Sequence, residues 1–161
     1  MMDKRALLAA IVAQLAAEAE RLSRAALATH AEATDPENKA EHKYDTRGLE
    51  ASYLAQGQSH AAEDAALALS EFQALALRDM PPGGPVTLGA LVTVTGASGT
   101  ISRYFLGPRA GGTEVGLSGR TVLVLTPTSP LGRQLLGLRA GDPLPPDRAG
   151  HPNPLRILSV E

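Results

Sequence analysis

Met80-Pro81-Pro82-Gly83-Gly84-Pro85 divides this chain into two stretches with different grammar. Proline removes a backbone donor and fixes φ, whereas glycine frees it, so a run of both interrupts any helix or strand that reaches it. Upstream, from Asp3 to Arg78, Pro36 is the sole proline, β-branched residues are few and alanine is abundant. Downstream fall most of the 16 glycines and 12 prolines, between short runs of alternating Val, Thr and Leu. Two domains are therefore predicted, one over 1–80 and one over 85–161.

In the first, Leu8, Leu15 and Leu22 recur at seven-residue intervals, with Val12, Ala19 and Ala26 between them. Leu54, Ala61, Ala68 and Leu75 repeat the interval, interleaved with Ala65 and Phe72. A narrow apolar stripe on each of two helices, joined by a polar segment, predicts an antiparallel coiled-coil hairpin. Alanine along the seam lets the two backbones approach closely. Arms of about 30 residues at 1.5 Å each reach about 45 Å. No third helix is evident for them to pack on, which favours a projecting finger over half of a compact bundle.

The second domain reads as strands over Val86–Thr95, Thr100–Leu106, Arg120–Leu125 and Leu155–Val160. Ser129 has the chemistry of an N-cap and Pro130 suits the first helical position, so Leu131–Leu136 is a short helix that Gly137 ends. A small antiparallel sheet packed on one helix makes the chain α+β.

Composition narrows the function. A formal net charge of −2 gives no long-range pull toward bare DNA or an anionic membrane. Only 3% of residues are aromatic and none is Trp, which disfavours a stacking platform for single strands. The absence of cysteine removes disulfides, thiolate nucleophiles and zinc–thiolate sites. Gln14, Glu18, Glu20 and Arg21 break the first apolar run too early for a membrane span, and no cleavage site sets it off as a signal peptide. A cytoplasmic monomer with no membrane role is expected. His30, His42 and His60 lack a metal-binding spacing, and Ser129 has no candidate base near it in sequence. Gly96-Ala97-Ser98-Gly99 lacks the Lys and helix of a phosphate loop, so it reads as a turn.

The stretch Thr126-Pro127-Thr128-Ser129-Pro130-Leu131-Gly132-Arg133-Gln134-Leu135-Leu136-Gly137, followed by Gly141-Asp142, resembles the C-terminal signature of the Gre family of bacterial transcription elongation factors. Leu88-Gly89, Tyr104-Phe105-Leu106, Gly111-Gly112 and Ile157-Leu158-Ser159-Val160 extend the resemblance in order. It implies an FKBP-like C-terminal domain docked on the rim of the polymerase secondary channel, with a coiled-coil finger passing down that channel. Ser129, Pro130 and Leu131 would make the rim contact. Prolyl isomerisation does not follow from that fold, because two Phe and three Tyr cannot readily line the aromatic pocket it needs.

Between the arms, residues 34–45 carry Asp35, Glu37, Glu41 and Asp45. The resemblance implies that tip carboxylates help hold a second Mg²⁺ beside the polymerase's own, so the factor completes an active site without being an enzyme itself. Asp35, Glu37 and Glu41 are the candidates to face the metal, with Asp45 in reserve; Lys39, Lys43 and Arg47 would steady the 3′ end of the nascent RNA. The family's tip pattern fits in two registers. One uses Asp35 with Glu37-Asn38 and Ala40-Glu41; the other starts at Asp45, where Gly48 stands in place of the acid and Glu50 lies beyond it. The first keeps both paired motifs together and is preferred. The plainer alternatives are that Asp35 and Asp45 cap helices and that Glu37, Glu41 and Asp45 form one face of a solvated, mixed-charge helix. Two other functions remain open: a non-catalytic occupant of the channel that inhibits polymerase, and a hairpin adaptor for an unrelated partner.

Overall fold

The structure, a computed structural model, describes residues 2–38, 46–78, 81, 83–96, 98–146 and 153–161. Two long helices come first, α1 (Lys4–Thr34) and α2 (Arg47–Gln73). They are followed by β1 (Leu91–Thr95), β2 (Ile101–Leu106), β3 (Glu114–Leu117), β4 (Arg120–Leu125), α3 (Pro130–Leu135) and β5 (Arg156–Val160). The chain gathers into two compact units, Val12–Ser70 on one hand and Met1–Ile11 with Glu71–Glu161 on the other, so the border falls inside both long helices.

In the unit Val12–Ser70 the expected helix pair is present. Leu15 and half-buried Ala19, Leu22, Ala26, Thr29 and Ala33 mark the inner stripe of α1. Thr29 donates its hydroxyl to Ala25 O at 2.9 Å, so the polar member of the stripe has a partner. On α2 the stripe runs through Ala55, Gln58, Ala62, Ala65 and Ala68. This lies one residue beyond the sequence expectation at its start, for Leu54 is 56% exposed while Ala55 is 6% exposed. Here the smaller side chain takes the seam and leucine is turned out. His30 and Ala33 of α1 line one groove of about 480 Å³ with Ser52, Ala55 and Ser59 of α2, as antiparallel neighbours would. On the solvent side, Arg21 pairs with Glu18 at 2.6 Å and Arg24 pairs with Glu20.

In the other unit, Asp3 caps α1 by accepting from Arg5 N at 2.9 Å and Ala6 N at 3.2 Å. The sheet order is β3-β4-β2-β1-β5. Three of its pairings are antiparallel, but β2 and β4 run parallel, with Tyr104 opposite Leu123. The fully antiparallel expectation missed β3. Because β3 takes the sheet edge, β4 returns between it and β2 and so points the same way as β2. The β3–β4 turn places Ser118 and Gly119 at φ 52° and 72°, the left-handed pair that matches strand twist. β1 is shorter than the sequence suggested, because Gly89 adopts φ 81° and Ala90 N closes a turn onto Thr87 O at 3.1 Å.

Alternation gives the sheet two apolar faces. One carries Val92, Val94, Leu106, Leu125 and Ile157, which cluster with Leu135 of α3 and with Leu144. The other carries Leu91, Phe105, Val122 and Val124. Against this face lies Phe72, fully buried, its ring centroid 6.3 Å from that of Phe105. Gly107 makes room for it: a Cβ there would stand 2.4 Å from Phe72 Cζ. Arg109 Nε also donates to Glu71 Oε1 at 3.0 Å, and Lys4 Nζ to Arg78 O at 2.9 Å.

Candidate functional site

α1 ends where Thr34 turns its hydroxyl back to His30 O at 2.9 Å. Asp35 then accepts from Glu37 N through Oδ1 at 2.9 Å and starts a single 3₁₀ turn, Pro36–Asn38. The capping alternative is thus realised for one oxygen of Asp35, with Pro36 supplying the preset φ. Both Asp35 and Glu37 are exposed. Lys39, Glu41, Lys43 and Asp45 lie outside the described residues, and with them the two charged rows to which they would belong.

On the returning side, α2 is entered through Thr46. Glu50 N donates to Thr46 O at 2.9 Å, and the Thr46 hydroxyl donates to Glu50 Oε1 at 3.0 Å. Arg47 opens the helix and is exposed, as is Glu50. Thr46 went unread in the sequence, although a threonine one turn ahead of an acid is a helix-start signal. Its hydroxyl gives Glu50 a fixed local partner.

Exposed carboxylates are hard oxygen donors, and Mg²⁺ takes only one or two of them from a protein. Glu37 and the second oxygen of Asp35 fit that modest requirement. Among the described residues, no three His, Asp or Glu side chains gather into a cation site. His30 and His60 border the same groove, and His60 Nδ1 lies 3.7 Å from Glu63 Oε2.

Charge on the flank of this helix pair is locally balanced. Hydrogen bonding from Arg21 holds the exposed Glu18 carboxyl below its ordinary range, and the same bond raises Arg21.

The three residues expected at a docking rim have different fates. Ser129 Oγ accepts from Gly132 N at 3.1 Å and donates to Thr126 O at 2.8 Å, which makes it the N-cap of α3. Leu131 packs against the core cluster. Pro130 is exposed and borders a groove of about 310 Å³ with Arg133, Gln134 and Pro145. Of the three, Pro130 is the side chain presented outward, and Arg133 is the neighbour that the sequence reading did not single out.

No family model matches the sequence, and no curated protein matches it. Solved structures do. GreA factor homolog 1 (Gfh1) of Thermus thermophilus is similar over 93% of this chain and 94% of that one, at 20% identity and a TM-score of 0.38. Thermus aquaticus Gfh1 follows at 22% identity, 92% and 89% coverage and a TM-score of 0.37. The transcription elongation factor GreA/GreB from Nitrosomonas europaea is similar over 60% of this chain and 78% of that one, at 25% identity and a TM-score of 0.36. At TM-scores this low the likeness carries no argument about function, which has to come from the chain's own residues.

Proposed function

We propose that this protein is a Gre-type factor for bacterial RNA polymerase, one that enters the secondary channel and stimulates cleavage of backtracked RNA. The observation that carries the reading is the placing of exposed Asp35 and Glu37 at the segment where two long helices reverse. Within the unit Val12–Ser70, α1 runs from Val12 to Thr34, about 34 Å at about 1.5 Å per residue, a length that suits carrying those oxygens to a catalytic centre inside another protein. The resemblance of residues 126–142 to the family's C-terminal signature supports the same partner.

A second Mg²⁺ at such a site would help activate water and stabilise the leaving oxygen of a phosphodiester. The residues to hold it would be Glu37 and the outer oxygen of Asp35, with Glu41 and, in reserve, Asp45 as sequence candidates. Lys39, Lys43 and Arg47 would meet the RNA 3′ end. The protein would lack a complete active site and act only on the polymerase.

The test is a stalled, backtracked elongation complex. Addition of the protein with Mg²⁺ should yield a shortened RNA that extends again. Glu37→Ala should abolish cleavage while polymerase binding persists. Full cleavage by a variant lacking all four tip acids would refute the assignment. One observation favours a second reading, a non-catalytic channel occupant: Asp35 already spends an oxygen on Glu37 N. Binding without cleavage in the wild type would select it, and no binding at all would point to an adaptor for some other partner.

A further inference from the structure

The sheet face that receives Phe72 is covered along only part of its length. Leu91, Phe105 and Val124 are buried there. Two residues further along, Thr93 stands opposite Arg103, whose β4 neighbour Val122 is still buried, and two further still Thr95 stands between Ile101 and Arg156. Continuing the parallel register of Tyr104 with Leu123 three residues back sets Arg120 beside Ile101. Arg120 and Arg156 therefore lie on one row, three strand spacings or about 14 Å apart, with Arg103 one row inward by about 7 Å.

Arg120 and Arg156 are exposed, Arg103 is half-buried, and Ile101 between them is 50% exposed. Among the described residues, neither the Arg103 nor the Arg120 guanidinium has a hydrogen-bond or ion-pair partner. Arg156 donates to Gly141 O at 2.6 Å, a neutral acceptor, and among the described residues its side chain has no ion-pair partner. The strand register brings one carboxylate to this face, that of Glu161 opposite Leu91, one row from Arg103 and two from Arg120 and Arg156. Glu114 stands opposite Leu123 and belongs to the other face. Asp142, in the adjacent loop, accepts from Arg139 N at 2.7 Å.

We infer that this arginine-framed face is a second docking surface, which takes an acidic protein segment bearing an apolar side chain on the polymerase. The inference rests on the proposed function for the identity of the partner. A guanidinium fork matches a carboxylate in two parallel hydrogen bonds, and arginine is enriched where proteins meet. Ile101 decides between protein and nucleic acid. A half-exposed aliphatic side chain among arginines gains from an apolar contact, which a phosphate backbone does not offer. Among the described residues, the strands carry no aromatic ring at the exposed end of the face on which a base could stack. The net charge of −2 keeps the attraction local, so the face would orient a partner that other contacts bring near.

The experiment measures the affinity of the full chain for bacterial core RNA polymerase, with Arg103→Glu/Arg120→Glu as the main variant and Arg103→Gln/Arg120→Gln as the milder one. The charge reversal should weaken binding by about tenfold or more, and it should flatten the salt dependence. Ile101→Ala should weaken it less and leave the salt dependence intact. Unchanged affinity in variants with wild-type circular dichroism would overturn the inference. So would an equal loss of binding to short single-stranded RNA in the absence of polymerase, since that would make the face a nucleic-acid surface. Failure of the wild type itself to bind polymerase would remove the proposed function and this inference together, an outcome distinct from both.

Discussion

Gly107→Ala tests the joint between α2 and the sheet. The new methyl would sit 2.4 Å from Phe72 Cζ, 3.0 Å from Phe72 Cε1 and 3.2 Å from Val124 Cγ1. Carbon atoms prefer about 3.5–4.0 Å, so the ring has to retreat by about 1 Å. Phe72 is fully buried against Phe105 and has little room to do so. Overpacking of this kind costs about 1–3 kcal/mol, and the rigidity of both neighbours places Gly107→Ala at about 2–3 kcal/mol. Phe72→Leu alone removes ring volume and should cost about 1–2 kcal/mol. Leucine has no atom at the Cζ position, so in the double variant most of the alanine penalty should disappear. The pair should then cost about 1–2 kcal/mol where independent sites would give about 3–5 kcal/mol, a coupling of about 2 kcal/mol. Urea titrations followed by circular dichroism, with m-values compared across the four proteins, give the cycle. Additivity to within about 0.5 kcal/mol would show that the ring and the glycine do not share this space, and the account of the joint would fall.

Gly132→Ala should be harsher, at about 3 kcal/mol or more, because its Cβ would stand 2.0 Å from Thr126 O, a backbone atom unable to swing aside; a variant as stable as the wild type in thermal melts would contradict it. Ser129→Ala should cost about 1 kcal/mol by removing the α3 cap, and Ser129→Asp should recover most of that in the same melts. Arg21→Ala should return the Glu18 carboxyl toward its ordinary range in an NMR titration. The depressed value means that the pair favours the folded state above the unfolded Glu18 pKa, and that this contribution fades as pH falls through the lower folded value; an unmoved Glu18 titration in Arg21→Ala would show that the bond does not form in solution.

The helices and the N-cap at Ser129 were legible because their signals are local: a seven-residue interval, a break at 80–85, and a serine before a proline. Leu54 misled because heptad counting ranks leucine above alanine, whereas a close seam reverses the preference and buries Ala55. β3 was missed because Glu114-Val115-Gly116-Leu117 is short, contains a glycine and has one fully buried side chain, so it lacks the β-branched run by which strands are read. The parallel β2–β4 pairing could not be foreseen without it. At the candidate site the acids were legible as residue types, but their roles were not. A carboxylate that caps a turn and one that awaits a cation have the same letter, and only the Glu37 N contact separates them for Asp35.

The insertion of β4 between β3 and β2 also sorts the sheet's pairings by the loop each has to close. β3 and β4 can close early as a local ribbon through their two-residue turn, whereas β2 must find β4 about twenty positions away in the chain. β1 must find β5 farther still, with Val92 opposite Val160, so the loop to be closed lengthens from ribbon to parallel seam to the β1–β5 edge. Changes at Ser118 or Gly119 should therefore be felt first in how fast the sheet is built.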